Sequence, residues 1–436
     1  MSLNLDTILE SIVKYYNECT TPHKKIGGEF EIMAFFVKDN SRVSYYGKKG
    51  IESFLRYLVD IGYAKINETK RGKVLGLYTP YGDITLEPGA QLELASKACE
   101  DLHELSHSYK QHIQNISKHG EHFGYKWVAI GLDPIHSIDE ISVIPKHRYW
   151  HMGDYLSQKG NLSLAMMRLT AATQVNLDYS SQENAISKLR SGLITSPFIT
   201  AMFSNSAILN RKKSGYLSYR THIWKNTDPE RCGFIEDILT NRDFGFADYA
   251  KILVKLPLMY YFDQGKTLPA KGKNLLDLLQ EKNKTIPDTE DIELSIQQLF
   301  TEVRLKKYIE FRGTDCTPPE TCVALPAIWT GLMYDDNNRE KIISLYSDIM
   351  TKENCIELWD RIAREGLKAQ IKPDITVRDI CIELLKLAED GLKKRNKLNK
   401  QGKDERLYLV NLKKMINAGK TLADLALEKK NLLYKL

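Results

Sequence analysis

Five short segments between residues 24 and 330 alternate apolar and polar residues with a period of two. Successive side chains of a β-strand point to opposite faces, so this period predicts strands with one face on a core. The segments are KIGGEFEIM, ITLEPGAQLELAS, TQVNLDYS, YLSYRTHIW and RLKKYIEFRGTD. Helical spacing marks residues 5 to 18, 95 to 119, 182 to 195 and 339 to 436. We therefore predict an α+β fold, a mostly antiparallel sheet surrounded by helices, with a helical C-terminal region.

The polar sides of these predicted strands carry carboxylates, carboxamides and arginines. In chain order they carry Glu29, Glu31, Glu87, Gln91, Glu93, Gln174, Asn176, Asp178, Arg220, Glu310 and Arg312. A solvated face explains any one such strand. However, two carboxylates two residues apart on a strand lie about 6.6 Å apart and repel by about 2.5 kcal/mol at an effective dielectric of about 20. The set as a whole therefore predicts a carboxylate-lined bowl that binds a cation.

The ligand types in this predicted bowl indicate which cation it binds. Oxygen ligands without a Cys or His cluster favour Mg²⁺ or Mn²⁺ over zinc. Arg220 and Arg312 among the carboxylates favour a substrate with anionic groups or phosphates. The chain has no GxxxxGK[ST] loop, and no GxGxxG follows a strand. If the protein uses a nucleotide, we expect metal ions to carry its phosphates.

A different function is suggested by His103-Glu104-Leu105-Ser106-His107, an HExxH sequence on a predicted helix. In a metalloprotease the two histidines bind zinc and the glutamate acts as general base. The zinc hydrolase leaves the carboxylate set unexplained, and Leu102 and Leu105 fit the apolar side of an ordinary amphipathic helix. We favour the amphipathic helix.

Charge is concentrated at the C-terminal end of the chain. Residues 386 to 436 hold 14 Lys+Arg and 6 Asp+Glu, a local +8, whereas the whole chain carries +6. A non-catalytic protein that binds an acidic partner through this tail is one interpretation. The solvated face of helices packed on a core explains the same pattern. We expect no nucleic-acid partner and no membrane partner.

Cysteine spacing and hydropathy indicate where the protein resides. The seven cysteines include no CxxC pair, and no apolar run approaches the roughly 18 to 20 residues of a membrane span. The N-terminal sequence lacks a basic start followed by an apolar core, so we expect the mature chain to begin near Met1. A reducing cytoplasm is the expected location.

Several ordered blocks together resemble a known family, the plant-type glutamate–cysteine ligases, which are related to the glutamine-synthetase-like carboxylate–amine ligases. The blocks are KIGGEFE, TLEPGAQLELAS, PKHRYW, TQVNLDYSS, FSNSAI, YLSYRTHIW with DPERCGF, and RLKKYIEFRGTD with ALPAIWTGLMYD. They extend from about Lys24 to about Leu392. The resemblance implies a glutamine-synthetase-like catalytic fold. It also implies ATP-dependent ligation of the glutamate γ-carboxylate to the amine of cysteine, the first step of glutathione biosynthesis, with Mg²⁺ or Mn²⁺.

Position by position, the resemblance implies a role for individual residues. The metal ligands would be Glu29, Glu31, Glu87, Glu93, Gln174 and Glu310. Substrates would be bound by Arg148, Arg220 and Tyr260, the nucleotide by Asn176 and Arg312, and catalysis would depend on Arg312 and Arg220. Arg148 and Tyr260 rest on the resemblance alone, whereas the other residues also stand out in the alternating segments.

The sequence departs from the plant pattern around the expected cysteine pocket. Ser106 occupies the position of a family cysteine that would face Cys322, so we expect no redox switch through disulfides. Glu320 and His147 also differ from the family pattern, which leaves a γ-glutamyl ligase for another amine as an alternative. We expect a catalytic unit over residues 1–338, a basic helical region over 339–436 packed on it, and a monomer or homodimer.

Overall fold

The computed structural model describes residues 3–350 and 355–429, and these form a mixed structure of helices and mostly antiparallel strands. The strands are β1 (Ile26–Phe36), β2 (Lys65–Lys70), β3 (Lys73–Thr79), β4 (Gly82–Leu86), β5 (Leu92–Ser96), β6 (Tyr125–Val128), β7 (Thr173–Leu177), β8 (Ile208–Leu209), β9 (Lys212–Lys213), β10 (Cys232–Gly233), β11 (Tyr260–Asp263), β12 (Lys266–Pro269), β13 (Phe300–Thr301), β14 (Val303–Leu305), β15 (Ile309–Phe311), β16 (Gln370–Lys372) and β17 (Ile375–Thr376).

The helices surround the strands on all but one face of the main sheet. They are α1 (Leu5–Glu18), α2 (Ile51–Asp60), α3 (Leu102–Phe123), α4 (His147–Leu156), α5 (Ser163–Leu169), α6 (Gln182–Met202), α7 (Tyr219–Lys225), α8 (Glu236–Thr240), α9 (Phe246–Lys255), α10 (Leu275–Glu281), α11 (Thr289–Gln297), α12 (Pro319–Cys322), α13 (Ala324–Met333), α14 (Asp336–Tyr346), α15 (Cys355–Glu365), α16 (Val377–Arg395), α17 (Val410–Asn417) and α18 (Leu422–Lys429). Within the described residues, none of these helices combines the length and apolar composition that a membrane crossing requires.

Within residues 3–350 and 355–429, nine strands form the main sheet, in the order β14-β15-β7-β1-β5-β4-β3-β2 with β6 also paired to β1. All of its pairs are antiparallel. The register sets polar residues of neighbouring strands directly opposite one another: Glu31 opposite Glu93, Glu29 opposite Gln174, and Glu310 opposite Asn176. Directly opposed residues share a face of the sheet. The predicted antiparallel sheet is therefore confirmed, and it brings the polar residues to one side.

The reverse face of the sheet is apolar and packs against helices. Phe30, Val175 and Phe311, which alternate with the polar residues of β1, β7 and β15, belong to one buried cluster with residues of α1, α3, α6, α9, α13 and α16. A second buried cluster joins β3, β4 and β5 to α2, α4 and α5. Burial of these two clusters fixes the register, because a shift by one residue would turn every polar side chain into the core.

The C-terminal helices pack on the same core as the sheet. Leu384 and Leu392 of α16 lie in the cluster that includes Phe30. Two of the basic tail residues make ion pairs, Lys394 with Asp335 at 2.6 Å and Arg395 with Glu405 at 3.0 Å. The division into residues 1–338 and 339–436 stays a prediction.

Three sequence predictions about local structure are wrong. The segment YLSYRTHIW forms the helix α7, because the Ser218 hydroxyl caps its first turn by accepting a hydrogen bond from the backbone N of Thr221 at 3.4 Å. The single strand expected for RLKKYIEFRGTD is a hairpin of β14 and β15. The polar, lysine-rich stretch from 263 to 290, which its bounding prolines predict to be a loop over the sheet, instead contains the end of β11, all of β12 and α10.

The predicted helical stretches are confirmed only in part. Residues 5 to 18 form α1 as expected, whereas the stretch expected from residue 95 begins as a helix at Leu102. The β16–β17 hairpin interrupts the C-terminal helical region. The parts of that prediction at residues 351–354 and 430–436 lie outside the described residues.

Candidate active site

A cavity of about 290 Å³ opens on the polar face of the sheet. Its walls come from β1, β5, β7, β14 and β15, from the turn between β4 and β5, and from α4, α7 and β11. Nine predicted metal-binding, catalytic or substrate-binding residues line it together: Glu29, Glu31, Glu87, Glu93, Gln174, Glu310, Arg148, Arg220 and Arg312, with Tyr260 as a tenth. Arg220 therefore lies in the predicted site, but on the helix α7 and not on a strand.

Two hydrogen bonds hold the Glu31 carboxylate in place. Its Oε2 accepts a hydrogen bond from the backbone N of Ala172 at 2.8 Å, and its Oε1 accepts one from Gln174 Nε2 at 2.9 Å. Burial, and next the negative charge of Glu87, raise the pKa of Glu31 to about 8. The charge of Arg220 lowers this pKa but does not outweigh the other effects, so the charge of Glu31 is compensated only in part.

Glu87 and Glu93 also have raised pKa values, although the charges of Arg148, Lys146 and Arg312 lower that of Glu87. Burial raises the pKa of Glu87, and burial together with the charges of Glu29, Glu87 and Glu31 raises that of Glu93 well above its usual range. Glu93 Oε1 accepts a single short hydrogen bond from the Thr85 hydroxyl, at 2.6 Å. Carboxyl groups crowded in this way titrate upward unless a cation joins them.

The donor set of the cavity fits a hard divalent cation. Four carboxylates and the Gln174 amide supply only oxygen ligands, which Mg²⁺ and Mn²⁺ prefer. Among the described residues, no three His, Cys, Asp or Glu side chains already converge closely enough to enclose a metal ion. A bound cation would therefore have to draw these carboxylates together, and its positive charge would offset the repulsion between them.

Glu310 differs from the other carboxylates because cations already surround it. Its Oε2 accepts from Arg304 Nε at 2.6 Å and from Arg312 Nη1 at 3.0 Å, and its Oε1 accepts from Lys306 Nζ at 3.1 Å. Burial alone would raise its pKa, but Arg304, Lys306 and Arg312 together hold the pKa of Glu310 well below the usual range. Glu310 is thus ionised, and its role as a metal ligand stays a prediction.

Arg304 was missed by the sequence reasoning. It lies on β14 directly opposite Glu310, is buried, and also donates to the backbone carbonyl of Leu299 at 2.8 Å. The missed signal was the Lys-Lys-Tyr sequence between the two strands, which forms the turn of the hairpin. Had the turn been recognised, the register would have paired Arg304 with Glu310.

The two predicted catalytic arginines lie side by side in the cavity wall. Arg312 Nη1 donates to Gln174 Oε1 at 3.1 Å, and Arg220 Nη2 donates to the backbone carbonyl of Arg312 at 3.2 Å. Arg220 Nε is buried without a hydrogen-bond partner among the described residues. Both guanidinium groups lie within 6 Å of the Trp224 ring, at 5.6 and 5.9 Å from its centroid. Arg220 therefore has donor capacity left for an anionic ligand.

Arg148 and Tyr260 also line the cavity and lie near each other. Arg148 Nη2 donates to the Tyr149 hydroxyl at 3.2 Å, and that hydroxyl in turn donates to the carbonyl of Leu86 at 3.0 Å. Tyr260 is buried, which raises its pKa while the nearby charge of Arg148 lowers it. The apolar part of the lining, which the sequence did not indicate, comes from Met152, Met166, Met167, Trp224 and Phe300.

Asn176 is the one predicted site residue that lies outside this cavity. It lines an adjoining cavity of about 160 Å³ with Lys25, Asp178 and Tyr308, and the two cavities share Glu29. Asn176 Nδ2 donates to Glu29 Oε1 at 2.8 Å. Glu29 therefore lies at the junction of the two cavities.

The HExxH sequence takes part in helix packing at a distance from these cavities. His103 Nδ1 is 3.0 Å from the Tyr408 hydroxyl, and His103 Nε2 is 3.2 Å from the carbonyl oxygen of Lys397. Both ring nitrogens are therefore already used within the protein. These contacts join α3 to the C-terminal region and leave His103 no nitrogen for zinc.

Comparison with known proteins gives consistent results. The sequence model of glutamate-cysteine ligase family 2 matches residues 25–431. Glutamate–cysteine ligase B, chloroplastic, of Oryza sativa subsp. japonica is 34% identical over 404 residues, covering 92% of this chain and 79% of the rice protein. The chloroplastic glutamate–cysteine ligase of Arabidopsis thaliana is 32% identical over 429 residues, covering 97% of this chain and 80% of the relative.

A solved structure shares the fold. The glutamate–cysteine ligase of Francisella tularensis, determined in complex with AMP, matches with a TM-score of 0.53 and 11% identity, covering 94% of this chain and 85% of the other. The expected glutamine-synthetase-like catalytic fold is confirmed by this match. The expected cytoplasmic location is wrong, because the rice and Arabidopsis relatives are chloroplastic enzymes by name.

Proposed function

The chain belongs to glutamate-cysteine ligase family 2, and we propose from its cavity how it carries out the reaction of that family. The protein is an ATP-dependent ligase that joins the γ-carboxylate of L-glutamate to the amine of L-cysteine, the first step of glutathione biosynthesis. One observation carries the proposal: a single cavity holds carboxylates with raised pKa values beside Arg148, Arg220 and Arg312. Carboxylates for metal ions and arginines for anions are the groups that phosphoryl transfer requires.

The reaction proceeds in two steps. The γ-carboxylate of glutamate attacks the γ-phosphorus of ATP, so that a γ-glutamyl phosphate forms and ADP leaves. The amine of cysteine then attacks the acyl carbon, and inorganic phosphate leaves with the electron pair of the broken C–O bond. The first step converts a poor leaving group into a good one, which is the reason for using ATP.

The carboxylates of the cavity are suited to hold Mg²⁺ or Mn²⁺. We assign Glu29, Glu31, Glu87, Glu93 and Glu310, with the Gln174 amide, to this role. When bound, the ions neutralise charge on the phosphates during transfer. The raised pKa values of Glu31, Glu87 and Glu93 support the assignment, since the cations nearby do not offset the burial and mutual repulsion of these groups.

Arg312 and Arg220 act on the transferring phosphoryl group. Arg312 is held in place by Glu310 and Gln174, so its remaining N–H groups have a fixed direction. Arg220 is buried with Nε unpaired. Two fixed guanidinium groups in a site sheltered from water stabilise charge that develops on phosphoryl oxygens by several kcal/mol.

The nucleotide is assigned to the side of the cavity near Glu29. The adjoining cavity places Asn176 and Lys25 within the space beyond Glu29. Phosphates near Glu29 would then extend into the main cavity toward Arg312, which fits the predicted nucleotide-binding roles of Asn176 and Arg312. The glutamate γ-carboxylate must lie between the phosphates and the cysteine.

Cysteine is assigned to the wall formed by Arg148 and Tyr260. The guanidinium of Arg148 suits the cysteine carboxylate. The thioethers of Met152 and Met167, with the rings of Tyr260 and Phe300, form a soft apolar surface for the thiol side chain.

The proposed function is tested by measuring ADP release with ATP, glutamate and a divalent metal ion. We expect cysteine to stimulate ADP release strongly when the metal ion is present, and we expect no such stimulation without the metal ion. The alternative of another amine substrate is tested by replacing cysteine with α-aminobutyrate, serine or glycine. Turnover with one of these that exceeds turnover with cysteine would identify a different γ-glutamyl ligase. A complete lack of ATP turnover would favour the non-catalytic binding protein.

A further inference from the structure

Asp315, three residues beyond Arg312, is fully buried and serves no role in the reaction described above. Its carboxylate accepts three hydrogen bonds. Oδ2 accepts from the backbone N of Asn205 at 2.7 Å and from the Ser206 hydroxyl at 2.7 Å, and Oδ1 accepts from the Ser218 hydroxyl at 3.0 Å. A buried carboxylate with three donors is rigidly held.

Ser206 and Ser218 connect Asp315 to the beginning of α7. The Ser206 hydroxyl oxygen accepts a hydrogen bond from the backbone N of Arg220 at 3.1 Å. Ser218 is the N-cap of α7, and its backbone is bridged to that of Ser206. The carboxylate of Asp315 therefore fixes the first turn of the helix that carries Arg220 into the cavity.

The backbone of Asp315 also contacts the segment that holds Glu31 in place. Asp315 is bridged to Ala172, and the backbone N of the next residue, Cys316, donates to the carbonyl of Ala171 at 3.0 Å. The backbone N of Ala172 is the group that donates to Glu31 Oε2 at 2.8 Å. Asp315 thus joins the segment that aims Glu31 to the helix that presents Arg220.

The sequence leaves room for this arrangement at Gly131. A side chain at that position would come within 2.5 Å of Asp315 Cγ and 2.6 Å of its Cβ. The charge of Arg220 also interacts favourably with the Asp315 carboxylate. A glycine, two serines and an aspartate from four separate segments thus meet at one buried point behind the cavity.

We propose that Asp315 is a positioning residue that sets the place of Arg220 relative to Glu31, and thereby the alignment of the phosphoryl group. The proposal rests on the proposed function, because it assigns Arg220 to substrate phosphate. Misplacement of a catalytic group by about 1 Å lowers rates by about 100-fold. Loss of the Asp315 carboxylate should therefore impair turnover through Arg220.

The test is a double-mutant cycle between Asp315→Ala and Arg220→Lys, with kcat/KM for glutamate as the readout. Asp315→Ala should lower kcat/KM by about 100-fold in the wild type. In the Arg220→Lys background the guanidinium is already lost, so Asp315→Ala should lower kcat/KM by about twofold or less. A purely structural role predicts the same factor in both backgrounds, and that outcome, or no loss in the wild type, would overturn the proposal.

Two further variants keep the test decisive if Asp315→Ala does not fold. Ser206→Ala removes only the hydroxyl between Asp315 and the Arg220 backbone and should lower kcat/KM about tenfold. Its matched control is Ser191→Ala. Ser191 is another buried serine that does not line the cavity, and its hydroxyl donates to the carbonyl of Ser187 at 2.6 Å. Equal kcat/KM for the two variants would also overturn the proposal.

Asp315→Asn distinguishes position from charge. It keeps the side-chain shape, and the Ser218 hydroxyl can turn to Thr221 Oγ1, 2.8 Å away. We expect Asp315→Asn to restore most of the activity lost in Asp315→Ala, and no restoration would overturn the positioning role. A wild type without cysteine-stimulated ADP release would instead refute the proposed function itself.

Discussion

Glu31 on β1 lies directly opposite Glu93 on β5, and both residues are buried, with 7% and 8% of their surface exposed. Like charges at directly opposed positions destabilise a sheet. Burial raises the pKa of both groups, so at neutral pH this pair keeps a proton in the protein without metal. The protonation of this pair should therefore change when a cation enters the cavity.

Metal-free protein should lose stability as the pH rises from about 4.5 to about 8. The pKa of Glu31 rises from its ordinary value of 4.5 to about 8 on folding, so the folded state binds more protons in this window. Stability from such a group is complete below the unfolded pKa and disappears as the pH rises through the folded pKa. Thermal unfolding in EDTA between pH 5 and pH 9 measures the effect.

The matched variant for this prediction is Glu31→Gln. An amide does not titrate, so the fall in melting temperature with pH should become shallower. An unchanged slope would show that Glu31 ionises normally in the folded protein. In the wild type, saturating Mg²⁺ should also flatten the slope, because metal binding displaces the proton.

Arg304→Gln should destabilise the protein by about 3 to 5 kcal/mol. The change removes one cation from buried Glu310 and leaves the Leu299 carbonyl without its donor at 2.8 Å. Breaking a buried ion pair on one side costs about 3 to 5 kcal/mol, and we expect the lower end of that range because Lys306 and Arg312 still contact Glu310. Urea unfolding monitored by circular dichroism gives the free energy of unfolding.

The control for Arg304 is the surface pair of Arg56 with Glu52. Their contact is also 2.6 Å, but the Arg56 side chain is 46% exposed. Arg56→Gln should therefore cost less than about 1 kcal/mol. Equal costs for the two variants would mean that Lys306 and Arg312 compensate Glu310 without Arg304.

The sheet and its carboxylates were predictable from the sequence because they depend on a local pattern. Alternation along β1 and β5 fixes which side chains share a face, and Glu29, Glu31 and Glu93 follow from it. Turns are harder to predict: the hairpin that pairs Arg304 with Glu310 was predicted as one strand. Residues 217 to 221 alternate as in a strand, but the Ser218 cap makes the segment from Tyr219 onward helical.

Contacts between distant segments could not be read from local patterns at all. Asp315 contacts Asn205, Ser206 and Ser218, which lie 110, 109 and 97 residues away along the chain. Asn176 shares a strand face with Gln174, but the two residues line different cavities, which meet at Glu29. Alternation identifies the face of a residue, whereas the cavity it enters depends on tertiary packing.

Arg148→Gln should raise the KM for cysteine by about 10- to 100-fold, with a smaller effect on the KM for ATP. Hydrogen bonds to charged groups contribute about 1.5 to 3 kcal/mol, and the proposed partner of Arg148 is the cysteine carboxylate. Steady-state kinetics with each substrate varied in turn separates the two effects. The control is Arg190→Gln, whose guanidinium instead donates to the carbonyls of Ile238 and Asn241. A larger change in the KM for ATP than for cysteine would assign Arg148 to the nucleotide.

Glu29→Gln and Glu93→Gln should each abolish turnover while the metal-free protein stays as stable as the wild type or becomes more stable. The charge of Glu29 contributes to the raised pKa of Glu93, so removing either charge relieves repulsion. The repulsion between two such carboxylates is about 2.5 kcal/mol at an effective dielectric of about 20. Circular dichroism melting in EDTA and ADP release measure the two effects.

Addition of Mg-ATP to the same variants distinguishes metal ligands from a solvated strand face. A ligand that binds only the folded state raises its stability by about 2.7 kcal/mol at 100 times its Kd. The wild type should therefore gain melting temperature with Mg-ATP, and both variants should gain much less because a carboxylate that holds the metal is missing. Asp83→Asn, on β4 outside the cavity lining, should respond as the wild type does. Wild-type activity and wild-type stabilisation in Glu29→Gln and Glu93→Gln would contradict the metal assignment, because only a solvated face tolerates loss of either charge.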